Sequence, residues 1–150
     1  MLKEIVEKGH YCFLEKADSW QEAIRQSYAP LLKDNTVENE YVEAVIECVN
    51  KYGPYIVIVP GIAMPHSTEG AAGCNGTAIS FMKVEEEVDF DPEDPDKKAK
   101  LFFSLAAIDH DQHIQNIQSL MDTLMNEDIV EALMMAKTKA DLEKIANQYE

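Results

Sequence analysis

Histidine is the side chain whose ordinary ionisation falls near neutral pH, so its placement is the first pointer to proton or group-transfer chemistry. The 150-residue chain has four, His10, His66, His110 and His113. His66 stands in Pro60-Gly61-Ile62-Ala63-Met64-Pro65-His66-Ser67, after the apolar run Tyr55-Ile56-Val57-Ile58-Val59. That order puts it just outside the C-terminal end of a strand, where open α/β sheets bind their ligands. Pro65 fixes its own φ and restricts Met64, giving the imidazole a rigid pedestal. The small neighbours Gly61, Ala63 and Ser67 leave room for another molecule to approach. His110 and His113 share the segment Asp109-His110-Asp111-Gln112-His113, between a later strand and a helix. With Asp109 or Asp111 as the cap, His113 falls in or near the first helical turn. Unpaired N–H groups and the positive dipole end favour an anion there and disfavour an imidazolium, so a neutral His113 can donate one hydrogen bond. Each ring taken alone also suits a hydrogen-bonded structural histidine. Spacing leaves that choice open; the joint placement after two strands favours a shared site.

The elements that must position these rings follow from periodicity. Ser19-Trp20-Gln21-Glu22 is a capping-box pattern, followed by Trp20, Ala23, Ile24, Tyr28, Leu31 and Leu32 at helical spacing. A second helix follows Asn35-Thr36, with Tyr41, Val45, Cys48, Val49 and Tyr52 on one face, and stops at Gly53-Pro54. Residues 55–59 predict a strand buried on both faces. Residues 60–76 form a glycine-containing loop and 77–82 a second strand. The acidic stretch 85–98, with Pro92 and Pro95, predicts short β-structure near Val88–Phe90 and then a solvated loop. Residues 100–108 form a third strand. Ile114, Ile117, Met121, Leu124 and Met125 mark the next helix. Asn126 caps another with Ile129, Leu133 and Met134, and Thr138-x-x-Asp141 opens a last one with Leu142, Ile145 and Tyr149. Helices, a sheet and helices again predict a layered α/β sandwich, a central, mainly mixed β-sheet flanked by helices, as one domain over residues 1–150.

Composition removes several function classes. With 46% hydrophobic and 27% charged residues, the chain can build a core and is not of disordered type. No apolar run approaches the roughly 18–20 residues that cross a bilayer, and the first seven residues carry acids where a signal peptide needs an apolar segment. The expectation is a cytoplasmic chain with no direct membrane insertion. Thirteen Lys and Arg against 28 Asp and Glu give 13 − 28 = −15, which repels phosphate backbones and argues against nucleic-acid binding. Cys12, Cys48 and Cys74 are odd in number and lack a C-x-x-C, so neither a disulfide framework nor a zinc knot is expected. Residues 70–76 lack the Gly-Lys-Ser/Thr ending of a P-loop and predict a flexible rim.

Gly61-Ile62-Ala63-Met64-Pro65-His66 resembles the G-x-A-x-P-H phosphorylation motif of enzyme IIA components of the sugar phosphotransferase system, mannitol/fructose superfamily. Ala106-Ala107-Ile108-Asp109 and His113, with the apolar helix behind, resemble that family's second block. The similarity runs from about Trp20 to the C-terminus, and residues 53–66 look closest to the ascorbate-type branch. The resemblance implies that His66 accepts a phosphoryl group from the phosphocarrier HPr and passes it to a cysteine of a IIB component. It also implies that His113 steadies that group by a hydrogen bond, that a membrane IIC component is served indirectly, and that no cofactor or metal is needed. Mannitol- and fructose-type members carry an arginine at the end of the helix before the first strand. Here that stretch reads Glu47-Cys48-Val49-Asn50-Lys51, leaving Lys51 or backbone donors to stand in. Ser67-Thr68-Glu69 replaces a glycine and often a basic residue after the histidine; the Ser67 hydroxyl is a further candidate donor. Ile62 and Met64 are expected as apolar rim contacts for both partners.

Two rival readings keep the same residues. IIA-like modules also act as regulatory domains, whose phosphorylation signals rather than drives transport. Alternatively, His66, His110, His113 and Cys74 are ligand types that suit zinc, although their spacing matches no standard motif.

Overall fold

The computed structural model describes residues 1–150. The elements are α1 (Leu2–Lys8), β1 (Tyr11–Leu14), α2 (Trp20–Lys33), α3 (Asn39–Tyr52), β2 (Val57–Val59), β3 (Gly61–Ala63), β4 (Ala78–Asp89), β5 (Lys98–Ala106), α4 (His110–Leu124), α5 (Glu127–Met135) and α6 (Lys139–Tyr149). The five strands form one mixed sheet in the order β1-β4-β5-β3-β2. β4 and β5 pair antiparallel at its centre, β1 runs parallel to β4, β3 parallel to β5, and β2 antiparallel to β3.

The period-two alternation of the central strands sorts side chains between two cores. Met82, Val84, Phe102 and Ala106 face α2 and α3, packing on Ile24, Tyr28, Leu31, Val45 and Val49. Phe81, Leu101, Phe103 and Leu105 face the other way, onto Leu2, Ile5, Leu120, Leu133 and Ile145 from α1, α4, α5 and α6. The sandwich expected from element order is present.

The caps read from sequence are made. Ser19, Asp109, Asn126 and Thr138 each accept a backbone N–H of their own first turn, and Thr138 with Asp141 completes a reciprocal capping box. Pro30 lies inside α2 and lacks the N–H that would bind Gln26; the freed Gln26 carbonyl instead accepts the Cys12 thiol at 3.5 Å. Burial pushes that thiol up to about 12.

Four expectations change. Residues 55–59 do not form the most buried strand: only Val57–Val59 extend, at the sheet edge, where Val59 is 48% exposed. The chain reverses through Pro60 and Gly61, whose φ of +94° suits glycine, so His66 follows the short β3 rather than the 55–59 run. The acidic stretch from Glu85 continues β4 through an irregularity between Lys83 and Val88, because Val88 and Phe90 still reach the core. α3 begins at Asn39 rather than directly after Thr36, since Val37 first bridges to Cys74. Finally, α1 and β1 form where periodicity gave no signal: α1 is 7 residues with only Leu2 and Ile5 buried, too short to show a face.

Ser80, in β4 opposite Ser104 of β5, is fully buried and its hydroxyl has no hydrogen-bond partner. Ser104 instead donates to Ser27 at 2.7 Å. Because an unpaired buried hydroxyl costs about 1–3 kcal/mol, Ser80→Ala is expected to leave the urea midpoint unchanged or raise it. A loss beyond about 1 kcal/mol would reveal a partner for that hydroxyl.

Candidate active site

Two chain segments meet where β3 and β5 end side by side. The Pro65 carbonyl accepts the Leu105 N–H at 2.9 Å, extending the parallel pairing beyond β3. Tyr28 of α2, fully buried, reaches both segments: its hydroxyl lies 2.9 Å from the Pro65 carbonyl and 2.8 Å from that of Leu105. Tyr41 of α3 donates to the same Leu105 carbonyl at 3.2 Å and accepts the Ser67 N–H at 3.3 Å. Tyr55 donates to the His66 carbonyl and sets its ring edge-on to the imidazole, 5.2 Å between centroids. Three tyrosines therefore hold Pro65, His66 and Ser67.

The imidazole itself is fixed in one tautomer. Nδ1 of His66 lies 2.7 Å from the Met64 carbonyl, which can only accept, so Nδ1 carries the hydrogen. In the neutral ring the lone pair is then on Nε2. Burial lowers the His66 pKa, against the smaller raising effect of the Met64 bond, and keeps the ring neutral at cellular pH.

His113 comes from the other segment. Asp109 caps α4 through the Gln112 N–H at 2.8 Å, and Asn116 donates to the Ala106 carbonyl at 3.0 Å, docking the helix on the end of β5. The His113 ring centroid stands 5.3 Å from that of His66. Burial, then the neighbouring His66 and His110, lowers its pKa as well. Both rings line an open cavity of about 510 Å³ with Tyr41, Ser67, Ala107, Ile108 and His110, and no Lys or Arg is among its lining residues.

The supporting residues divide. Ser67 lines the cavity; its hydroxyl accepts the Glu69 N–H at 3.1 Å and lies 3.8 Å from the Cys48 sulfur. Lys51 does not line it: its ammonium pairs at 2.8 Å with Glu69, which holds the Lys51 pKa above its usual value. It is therefore a neutralised surface pair and does not take the place of an arginine. The expected rim is also corrected. Ile62 is 4% and Met64 6% exposed, because both point into the core beneath α5 and α6. The apolar residue at the mouth is Ile108, 49% exposed. The zinc alternative does not assemble, since no three His, Cys, Asp or Glu side chains converge and the Cys74 thiol turns to the Gly76 carbonyl. The rim at residues 70–76 is tied down: Glu38 N–H donates to the Gly73 carbonyl at 2.8 Å. A Cβ on Gly73 would stand 2.8 Å from the Tyr41 nitrogen.

Sequence reading missed the tyrosine frame, since Tyr28 and Tyr41 read as core positions; a hydroxyl on a core stripe was the available signal. Tyr28→Phe leaves both carbonyls another donor, so the expected loss is about 1–2 kcal/mol by urea denaturation. NMR contacts between the His66 and His113 rings should weaken in the same variant; unchanged contacts would show that the frame does not set their separation.

Comparison with known proteins agrees with this site. The family model for the phosphoenolpyruvate-dependent sugar phosphotransferase system, EIIA 2, matches residues 4–149. The mannitol-specific cryptic phosphotransferase enzyme IIA component of Escherichia coli (strain K12) is 35% identical over 135 residues, covering 90% of each chain. Its solution-structure counterpart from Escherichia coli has a TM-score of 0.84, 33% identity and 98% coverage of both chains. The ascorbate-specific EIIA component of Salmonella choleraesuis (strain SC-B67) is 32% identical over 131 residues, 85% of this chain and 84% of the relative. A complex of mannitol enzyme IIA with phosphorylated enzyme IIB from Escherichia coli matches with a TM-score of 0.72 and 28% identity, over 93% and 94% of the two chains. With nearly its whole length matched, the chain belongs to the EIIA 2 family of the phosphoenolpyruvate-dependent sugar phosphotransferase system, among enzyme IIA components of mannitol and ascorbate type.

Proposed function

We propose that this chain, acting as one IIA-like unit in the cytoplasm, takes a phosphoryl group from phospho-HPr on Nε2 of His66. It then hands the group to a cysteine of a IIB component, for uptake through a membrane IIC component. The observation that carries this reading is the paired rings: a neutral imidazole with its lone pair on Nε2, and a second imidazole 5.3 Å away across an open cavity. The Nε2 lone pair attacks phosphorus in line as the donor's N–P bond breaks. No proton leaves Nδ1. The ring becomes formally cationic, and the Met64 carbonyl on Nδ1–H stabilises that charge. Return transfer to a thiolate reverses the same changes. His113 and the Ser67 hydroxyl supply hydrogen bonds to the phosphoryl oxygens, and the tyrosine frame supplies positioning.

The face offered to partners is apolar and acidic. Ile114 and Met121 of α4 and Met125 at its C-cap are exposed, Met125 by 79%. Between Leu101 and Ala136 there are six acids, Asp109, Asp111, Asp122, Glu127, Asp128 and Glu131, and no Lys or Arg. A basic partner surface with an apolar centre fits that pattern, and it begins at the cavity mouth beside Ile108.

Incubation with phosphorylated HPr should give one acid-labile phosphoryl group per chain and none on His66→Ala. His113→Ala should still be labelled but pass the group to IIB at least tenfold more slowly. Labelling of His66→Ala overturns the assignment; labelling without transfer to any IIB favours the regulatory alternative. Met121→Asp with Met125→Asp should raise the donor's KM about tenfold, a loss of about 1.4 kcal/mol, with kcat retained. An unchanged KM moves the docking face elsewhere.

A further inference from the structure

The cavity around His66 has to accept a group with two negative charges, yet its lining has no Lys or Arg. The candidate ammonium that the sequence offered, Lys51, is paired with Glu69. Nor is the α4 N-terminus an uncommitted anion site, because the Asp109 carboxylate takes the Gln112 N–H. Beyond backbone donors and the modified ring itself, a group that is neutral when the cavity is empty can still supply positive charge. Three imidazoles line the space, His66, His113 and His110. His66 is the group being modified, and His113 is partly buried against it. His110 differs: it is the first residue of α4, exposed, at the edge of the same cavity.

Given the reading of His66 as the phosphoryl acceptor, we infer that His110 is the cavity's conditional cation, taking up a proton as the phosphoryl group arrives and holding it against the phosphoryl oxygens. The charged groups facing His110 fit this role. Asp109 and Asp111, both acidic, are its neighbours in the chain. His66 and His113 share the cavity with it, and partial burial lowers the pKa of both rings. Tyr41 contributes a neutral hydroxyl from α3, its pKa raised by burial. The proton comes from solvent, one per phosphoryl group bound, and returns to solvent when the group leaves. No bond other than N–H forms or breaks at His110. An opposite charge within about 4–6 Å shifts an ionisable group by about 1–3 pH units towards its charged form. The permanent charge of an arginine is thereby replaced by one that exists only while the cavity is loaded.

The test is NMR titration of the His110 ring in the full chain, with and without a phosphoryl group on His66. The His110 midpoint should rise by about one pH unit or more on phosphorylation. His110→Gln, at an exposed helix start, keeps the fold; it should still be phosphorylated, but without the extra proton uptake. Its hold on the group should no longer vary between pH 6 and 8, and His110→Lys should restore a tight hold at pH 8. A His110 midpoint unmoved by phosphorylation, or equal proton uptake by wild type and His110→Gln, overturns the inference while leaving the phosphocarrier reading intact. If His66 takes no phosphoryl group, that reading falls separately. Saturating inorganic phosphate then serves as the dianion: a raised His110 midpoint supports a conditional cation, and an unmoved one overturns it.

Discussion

The contact between the Pro65 carbonyl and the Leu105 N–H, shared by the Tyr28 hydroxyl, is the joint on which the rest of the site hangs. It fixes the end of β3 to the end of β5, and each end feeds one of the two histidine segments. Backbone carbonyls buried this deeply must be satisfied, and a tyrosine on α2 does so from the opposite core. The same hydroxyl therefore pins the His66 pedestal, the exit of β5 and the helix beneath both. Since β3 has only 3 residues, ladder bonds alone would position the pedestal weakly; the three tyrosines compensate.

Electrostatically the cavity is unusual for the phosphoryl group that the proposed function would bring to it. The chain carries a formal charge of −15, the lining has no Lys or Arg, and the one lysine near the end of α3 is neutralised by Glu69. What remains are polarised N–H donors and rings whose charge responds to their surroundings. Burial lowers the His66 pKa, and the fixed Nδ1–H leaves the lone pair on Nε2, as the proposed role of His66 requires. In the proposed function, the acidic, apolar face of α4 is the part of the surface that would attract a basic partner.

Much of this arrangement was legible in the residues. Ser19, Asp109, Asn126 and Thr138 announced helix starts because capping is local chemistry within four residues. The motif ending in Pro65-His66 and the Asp109–His113 segment marked both halves of the site. The edge position of β2 was not legible: a β-branched run such as 55–59 reads alike in a central or an edge strand until its neighbours are known. The burial of Ile62 and Met64 was hidden for a related reason. Residues beside an active-site loop look exposed in sequence, but strand alternation and the helices packed below decide which way they point.

The sequence by itself determined the chemical inventory: four imidazoles, the proline pedestal, the caps, the net charge and the family motif. Those follow from residue type and short spacing alone. Only the tertiary structure decided that His66 and His113, 47 positions apart in the chain, face each other, that Nδ1 is the occupied nitrogen, and that Lys51 is spent on Glu69. Each of those outcomes depends on which distant group arrives alongside, and the pairing of β3 with β5 brings those groups together.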